Sequence, residues 1–300
     1  MISVLVVTYD PDLALLRSCL DSVRNEFRHA SVSFEILILE NGSRDAAYTE
    51  NIGSDVCVIK SHENLGFGVA MNKLVKASSG DYCLLLNPDA MLESNSAAGL
   101  VEALEADADA VYVGRLQRGG SLQLDAYWLW WTSLEHFLRR PSVGRALNAA
   151  AGTSLRVPVE KACGGALAAS RKLLLEYGPF DQGFFLYGED ADLSLRLRRD
   201  GVSIWLLPAV RVTHHAAASM DRHSGLVEEA RADAAIRLSA LHRSYLFSLW
   251  VRLDLALVTI AGLWAGGSSR SARTRLRRIH QVRRWGVRRL VPPFRPRAEV

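Results

Sequence analysis

The sequence predicts an α/β fold with a mostly parallel sheet flanked by helices. Short apolar runs alternate with helical patterns over about the first 115 residues, which is typical of successive βαβ units. The run Tyr82-Cys83-Leu84-Leu85-Leu86 lacks polar alternation, as expected of a strand buried on both faces. The chain has 300 residues, of which 49% are hydrophobic and 23% charged. This composition is typical of a globular protein and argues against disorder.

The predicted elements follow in order along the first half of the chain. Apolar runs predict five strands, at residues 2–7, 34–39, 56–59, 81–86 and 110–113. Periodic patterns between them predict helices at 12–27, 68–77 and 94–105, the last with a serine N-cap at Ser94. The fourth strand ends directly before Asn87-Pro88-Asp89. Asp89 is therefore expected at the carboxyl edge of the sheet, where open α/β sheets bind their ligands.

The alternation of predicted strands and helices stops at the start of the second half. Residues 117–160 contain a Gly-Gly pair, an aromatic cluster and no clear period, which indicates a long functional loop with some helix. An apolar segment at 162–169, a helix from Arg171 and a helix from about Glu189 follow. Closing strands are predicted at 202–207 and 209–213, and helices beyond Leu226. We therefore predict a domain of residues 1–222, with halves 1–116 and 117–222, and a helical extension of residues 223–300.

The charge of the chain is divided unequally. Residues 1–240 carry 23 Lys and Arg against 30 Asp and Glu, whereas residues 241–300 carry 13 against 2. The body is acidic and the extension strongly basic. The four cysteines are scattered without a CxxC pair, as is typical of reduced thiols in a cytosolic protein. We expect no signal peptide, because the first strand begins at Ile2. Arg252 and Asp254 precede an apolar stretch of only 11 residues, which argues against a spanning helix and leaves a tilted span as the less favoured alternative.

Two acidic motifs about a hundred residues apart carry the predicted chemistry. Asp89 is a hard oxygen ligand that suits Mg²⁺ or Mn²⁺. The sequence Asn-Pro-Asp is also common in turns that bind no metal. Glu189 and Asp190 begin a predicted helix, where the helix dipole alone favours acidic residues. The aromatic segment 178–188 before them is suited to shape an acceptor pocket and to desolvate a carboxylate. Asp190 is the candidate base, and Glu189 its neighbour or an acceptor contact.

Further residues near predicted strand ends suit a nucleotide site. Glu40 follows the second strand, where a carboxylate can accept the N–H of a pyrimidine base, although residues 40–43 also have turn composition. The glycines within residues 64–72 lie at a helix start, where backbone N–H groups can approach a phosphate. His214 follows the last predicted strand. A lone histidine at a strand end more often has a structural role than a metal-binding one. Because Asp89 is a second candidate ligand, His214 is kept as a candidate metal ligand.

Eight short segments, taken in order over about residues 2–220, carry a resemblance to a known family. They are 6–9 (VVTY), 40–43 (ENGS), 64–72 (NLGFGVAMN), 86–90 (LNPDA), 164–166 (GGA), 180–185 (FDQGFF), 188–193 (GEDADL) and His214. In this order they resemble the family 2 glycosyltransferases with the Rossmann-like GT-A fold, and among these the bacterial rhamnosyltransferase-like branch. Single motifs of this kind are common, but the ordered set is specific.

The resemblance implies an inverting enzyme that uses a nucleoside diphosphate sugar, with dTDP-rhamnose as the preferred donor. It implies Asp190 as the base and a Mg²⁺ or Mn²⁺ ion at Asp89, with His214 as a further ligand. The residues that it places at the nucleotide sugar are Thr8, Tyr9, Glu40, Asn41, Gly66, Asn72, Asn87 and Asp89. Asn87 stands at the first position of the Asp-x-Asp motif of the family, so weaker metal binding is expected.

The aromatic cluster and the basic extension bear on the acceptor. Candidate acceptor contacts are Trp128, Trp130, Trp131, Phe185 and Tyr187, although such a cluster is equally typical of a core. The apolar helices before the arginine tail predict an interfacial helix and a polybasic segment on anionic lipid. We expect a lipid-linked or cell-envelope glycan acceptor. The predicted location is cytoplasmic, with peripheral association with the inner face of the plasma membrane.

Two other classes of function stay open at this point. A nucleic-acid-binding protein could use the Arg-rich tail, but the acidic body and the apolar helices favour a membrane, and we expect no nucleic-acid partner. A nucleotide-sugar-binding protein without transferase activity is compatible with Asn87.

Overall fold

The computed structural model describes residues 1–215, 224–264 and 269–296, which form one large mixed sheet flanked by helices. Its strands are β1 (Ile2–Thr8), β2 (Phe34–Asn41), β3 (Val56–Ser61), β4 (Tyr82–Leu86), β5 (Ala90–Leu92), β6 (Val111–Arg118), β7 (Ser121–Leu122), β8 (Val157–Pro158), β9 (Ala166–Ser170) and β10 (Ile204–His214). Its helices are α1 (Leu13–His29), α2 (Phe67–Ala77), α3 (Ser96–Ala106), α4 (Ser133–Thr153), α5 (Arg171–Tyr177), α6 (Glu189–Arg199), α7 (Ser224–His242), α8 (Tyr245–Trp264) and α9 (Ser269–Trp285).

The strand order β3-β2-β1-β4-β9-β6-β10-β5 brings distant segments of the chain to one edge. β3, β2, β1 and β4 are parallel, as predicted, whereas β9 is antiparallel to both of its neighbours. Thr8 pairs with Glu40 in register, so the residues that follow these strands share the carboxyl edge. β5 pairs antiparallel with the end of β10 and sets His214 opposite Ala90. The prediction of an α/β fold is confirmed, with a more mixed sheet than expected.

One hydrophobic core underlies this sheet. Every residue of β1 is buried, and the same core continues through β4, β9, β6 and β10. β9 comes from the predicted half 117–222 and lies between two strands of the predicted half 1–116. Strands of both halves therefore build a single sheet, and the division at residue 116 stays a prediction. The predicted boundary at residue 222 lies outside the described residues.

Three local predictions are wrong. Segment 117–160, predicted as a long loop with some helix, contains the 21-residue helix α4, which begins at a Thr132 N-cap and includes Pro141. The two closing strands are one strand, β10, with a register shift between Leu207 and Arg211. Ser94 does not cap α3. Glu26 of α1 accepts instead from the first backbone N–H groups of that helix, a long-range cap that no local pattern reveals.

The C-terminal helices α7, α8 and α9 pack on one another around the fully buried Trp285. The Trp285 indole N–H donates to Asp233 at 2.8 Å, and Arg284 pairs with the same carboxylate. Arg277 and Arg278 pair with acidic residues of α7 in the same way. These arginines of the predicted polybasic segment therefore hold two helices together. Arg297 of that segment lies outside the described residues.

Helix α8 corrects the expectation that the chain has no helix of spanning length. It has 20 residues and by length and composition is apolar enough to cross a membrane, which in a single helix is weak support for a span. Arg252 and Asp254 do not end it, because both side chains are bonded on its inner side. Arg252 donates to the carbonyl groups of Gly286 and Arg288, and Asp254 accepts from the Ser133 N–H at 2.8 Å.

Candidate active site

The first part of the site is a corner formed by Asn87, Asp89 and His214. Asp89 Oδ1 lies 3.2 Å from His214 Nε2, and Asn87 Nδ2 lies 3.1 Å from the same nitrogen. The backbone joins them as well, since the His215 N–H donates to the Asp89 carbonyl. The β10–β5 pairing is responsible, because it brings the end of β10 beside the loop that leaves β4. The predicted pairing of Asp89 with His214 is present in the structure.

The orientation of His214 suits a cation. Its Nδ1 lies 3.1 Å from Gln123 Oε1, and a proton on Nδ1 would leave the Nε2 lone pair for a cation beside Asp89. Two ligands at adjacent octahedral positions of Mg²⁺ or Mn²⁺ lie about 3 Å apart, close to the observed separation. No group of three or more His, Cys, Asp or Glu side chains suited to a metal occurs in residues 1–215, 224–264 and 269–296. Among the described residues, Asp89 and His214 are therefore a two-ligand pair that phosphate and water oxygens could complete.

The second part of the site is the start of α6. Gly188 adopts a left-handed conformation at φ 84° and directs Glu189 and Asp190 into the first turn. Asp190 Oδ2 lies 3.6 Å from the Lys161 ammonium, and both side chains are mostly buried. Burial alone would lower the pKa of Lys161, but the charge of Asp190 and of other nearby groups raises it overall. Asp190 therefore has a cationic partner.

Glu189 has a different environment from Asp190, its neighbour in the chain. Its side chain is buried, and Oε2 has no hydrogen-bond partner among the described residues. Burial, reinforced by the charge of Asp190, raises the pKa of Glu189 to about 8. Glu189 is therefore mainly protonated at neutral pH, while Asp190 faces a lysine. Two adjacent carboxyl groups in such unlike surroundings are suited to different roles, and Asp190 remains the candidate base.

Glu189→Gln is expected to change how stability depends on pH. A folded-state pKa near 8 against about 4.3 in the unfolded chain means that the stabilisation is complete below about pH 4 and is lost as pH rises through 8. At about 1.36 kcal/mol per pKa unit, wild-type protein should lose on the order of 4–5 kcal/mol of unfolding free energy over this window, and the Gln variant should not. Urea unfolding between pH 5 and 9 measures the difference. Parallel curves for the two proteins would contradict the buried, protonated Glu189.

The segment 161–165 connects the two parts of the site. Lys161 contacts Asp190 at one end, and the Gly165 carbonyl accepts from the Asn87 N–H at the other. A Cβ atom on Gly165 would lie 3.1 Å from Asn87 Nδ2, so glycine lets this backbone run close to the corner formed by Asn87, Asp89 and His214. The candidate base and the candidate metal ligands are thus joined through five residues.

Several residues predicted at the nucleotide hold the edge of the sheet together. The Thr8 hydroxyl is buried and bonded to the Tyr48 hydroxyl at 2.7 Å, and Glu40 accepts from the Ser43 N–H at 2.6 Å. Tyr9 is half-buried just beyond β1. These positions agree with the predicted edge, and direct contact with a nucleotide stays a prediction.

The other predicted nucleotide residues position the loop before α2. Asn41 accepts from the Leu65 N–H at 3.0 Å. Gly66 has φ 82°, and a Cβ atom there would lie 2.2 Å from the Phe185 carbonyl oxygen, so only glycine fits. Asn72 uses both polar atoms of its side chain on the backbone of Phe180. The polar side chains of this loop are engaged inside the protein, and their contact with a nucleotide also stays a prediction.

Comparison with known proteins shows the family of the chain. Residues 3–154, which are 152 of the 300 residues, match the sequence model of Glycosyl transferase family 2. The chain belongs to glycosyl transferase family 2. It is 28% identical to an N-acetylglucosaminyl-diphospho-decaprenol L-rhamnosyltransferase of Mycobacterium tuberculosis, in strains H37Rv and CDC 1551. The match spans 319 residues and covers 93% of this chain and 95% of the relative.

Solved structures show that this family 2 glycosyltransferase has the GT-A fold. The mannosyltransferase PcManGT from Pyrobaculum calidifontis, in complex with GDP-Man and Mn²⁺, matches with a TM-score of 0.59 and 14% identity, over 96% of this chain and 87% of that one. GalNAc-T7 with UDP, GalNAc and Mn²⁺ matches with a TM-score of 0.57 and 20% identity, over 72% of this chain and 44% of that one. At these identities the likeness is one of fold.

The predicted acceptor contacts of this glycosyltransferase divide into two groups. Trp131 and Tyr187 border a small apolar cluster beside α6. Phe185 is buried near the same helix and packs against Phe294 of the extension. Trp128 and Trp130 lie together on the α4 side, where the Trp130 indole donates to an aspartate. Three of the five aromatic residues therefore lie in apolar clusters near α6, and contact of all five with an acceptor stays a prediction.

Sequence reasoning missed two residues of the glycosyltransferase site. Lys161 is the one basic residue in the segment 157–169, and its position just before Gly164-Gly165 is a signal that could have indicated a site. Gln123 has no comparable signal. It reaches His214 only because β7 folds back on β6, which lies beside β10.

Proposed function

We propose that this glycosyltransferase transfers rhamnose from dTDP-rhamnose to a lipid-linked glycan, with inversion at the anomeric carbon. The observation that carries the proposal is the connection of Asp190 and Lys161, through segment 161–165, to the Asp89–His214 corner. A transferase needs both parts, a base for the acceptor and a place for the departing diphosphate. The rhamnosyl donor is favoured by the similarity to the mycobacterial rhamnosyltransferase along nearly the whole chain. The same relative favours an N-acetylglucosaminyl diphospho-polyprenol as acceptor.

In the proposed reaction, Asp190 accepts the proton of an acceptor hydroxyl. The acceptor oxygen forms a bond to the anomeric carbon while the bond from that carbon to the diphosphate oxygen breaks, and dTDP leaves on the opposite face. Lys161 holds the Asp190 carboxylate in place before the proton arrives. Protonated Glu189 adds no second negative charge beside the base and can donate a hydrogen bond. A single displacement of this kind inverts the anomeric centre.

Asp89 and His214 would hold the divalent cation. The ion would neutralise charge that develops on the departing diphosphate. Asn87 donates to His214 instead of supplying a second carboxylate, so the protein part of the site carries one negative charge. We therefore expect a weakly held Mg²⁺ or Mn²⁺ ion that binds together with the donor.

A transfer assay with purified protein tests the proposal. dTDP-rhamnose, UDP-N-acetylglucosamine, UDP-galactose and GDP-mannose are each incubated with Mn²⁺ and a short-chain N-acetylglucosaminyl diphospho-polyprenol, and products are identified by mass spectrometry. We expect a rhamnosylated product from dTDP-rhamnose alone. A different preferred donor would replace rhamnose in the proposal. Donor binding by calorimetry without product from any donor would favour a binding protein over a transferase.

A further inference from the structure

Helix α8 has its polar side inwards and its apolar side outwards. Its buried residues include Ser248, Arg252, Asp254 and Thr259, each hydrogen-bonded within the protein. The outward residues are large and apolar, at spacings of four, three, four, three and four: Leu246, Trp250, Leu253, Leu257, Ile260 and Trp264. Their exposed fractions run from 44% to 88%. We call this stripe the α8 seam. A surface helix of a water-soluble protein has the opposite arrangement, with its apolar side buried and its polar side exposed.

Helix α4 extends the apolar surface. Its first turns expose Leu134, Phe137 and Leu138 by 54%, 77% and 64%, at the spacing of one helix face. The two helices are in contact, and the Ser133 N–H at the start of α4 bonds to Asp254 of α8. The exposed side chains of α4 therefore lie beside the helix that carries the α8 seam. Exposed apolar side chains concentrated on two neighbouring helices mark a site of interaction with a partner.

The charge around the α8 seam defines the kind of partner. The only acidic residue of α8, Asp254, is buried on the inner side, and residues 241–300 carry 13 arginines against two acids. Arg283, Arg288 and Arg289 are exposed near the end of α9, which packs against α8. An apolar stripe with a tryptophan at its end and cationic neighbours complements an anionic lipid surface.

The inner contacts define how α8 would lie in such a surface. Arg252 is anchored to the backbone after α9, and Asp254 to the start of α4. A spanning helix would have to break these bonds and leave both groups near the middle of the bilayer. With the bonds intact, only the outer side of α8 can enter lipid, and the helix axis is parallel to the membrane plane.

We infer that the α8 seam and the exposed face of α4 dock this protein on the surface of an anionic phospholipid bilayer, with α8 lying flat in the headgroup region. The inference goes beyond the proposed reaction and rests on none of its residues. It deepens the earlier expectation of peripheral association by assigning the docking to specific side chains.

Vesicle flotation of the full chain tests the inference. The test variant is Leu253→Ser with Leu257→Ser, in the α8 seam. The matched control is Leu13→Ser with Leu175→Ser, two exposed leucines on α1 and at α5. On vesicles of phosphatidylglycerol and phosphatidylcholine, the seam variant should partition at least about tenfold more weakly than wild type, while the control stays within about twofold. Circular dichroism and thermal unfolding establish that both variants are folded.

Three outcomes would overturn the inference. Equal vesicle binding by the seam variant and the control would remove the α8 seam from the docking surface. Retention of wild-type protein in vesicles after alkaline carbonate washing would indicate a spanning helix. A wild-type dimer in analytical ultracentrifugation that becomes monomeric in the seam variant, without vesicle binding by either, would assign the surface to a second copy of the chain.

Release from anionic vesicles by high salt, together with weak binding to phosphatidylcholine alone, supports the cationic contribution. Because none of these measurements involves a donor sugar, their failure is distinct from failure of the proposed reaction.

Discussion

Asp190→Asn is expected to lower kcat for sugar transfer by about 10²–10⁴-fold, because an amide cannot accept the proton of the acceptor hydroxyl. The substitution keeps the shape of the side chain, and its oxygen can still accept from the Ala191 N–H, as Asp190 Oδ1 does at 2.7 Å. Donor affinity should change little, since Asp190 faces the acceptor in the proposed reaction. Steady-state rates and calorimetric donor titration measure the two quantities separately.

The matched control for this prediction is Glu189→Gln. Burial and the charge of Asp190 raise the pKa of Glu189 and favour its neutral form, so its replacement by an uncharged isostere should retain much of kcat. A folded Asp190→Asn variant with the wild-type kcat would exclude Asp190 as the base. A large loss of kcat in Glu189→Gln with full activity in Asp190→Asn would reverse the two assignments.

Asp89→Ala is expected to remove metal-dependent transfer, with a loss in kcat/KM on the order of 10³-fold. In the corner formed by Asn87, Asp89 and His214, Asp89 supplies the carboxylate, and neither of the other two side chains can supply a second negative charge. The measurement is transfer rate against Mn²⁺ concentration, with a chelator as the baseline.

Asn87→Asp provides the opposing variant. It restores a second carboxylate beside His214 and should lower the Mn²⁺ concentration needed for half-maximal rate. Wild-type rates that are equal in Mn²⁺ and in chelator would show that the enzyme does not use the ion. In that case Asp89 would have to act on the donor in another way.

Much of the fold could be predicted because its signals are local. The continuous apolar runs of β1 and β4 identify strands buried on both faces, and β4 places Asp89 at the carboxyl edge without further information. The start of α6 was predicted correctly because Gly188 followed by acidic residues is a pattern confined to one turn. The family resemblance then connected these pieces.

The features that could not be predicted depend on residues far apart in the chain. Glu26 caps a helix about 70 residues away, and Gln123 orients His214 across 91 residues. The orientation of α8 follows from what Arg252 and Asp254 contact, and those partners belong to α4 and to the segment after α9. The sequence alone predicts that the same two charged residues interrupt an apolar stretch. Only tertiary contacts distinguish an interrupted helix from one with its polar side buried.

The central claim is a single displacement with Asp190 as the base, and the anomeric configuration of the product tests it most directly. Transfer from dTDP-rhamnose to the N-acetylglucosaminyl acceptor is followed by proton NMR of the new linkage. For a single displacement we expect wild-type enzyme to form a rhamnoside whose anomeric configuration is opposite to that of the donor. The rate of product formation should be at least about a hundredfold lower in Asp190→Asn. A product with the configuration of the donor, or wild-type yield from the variant, would contradict it.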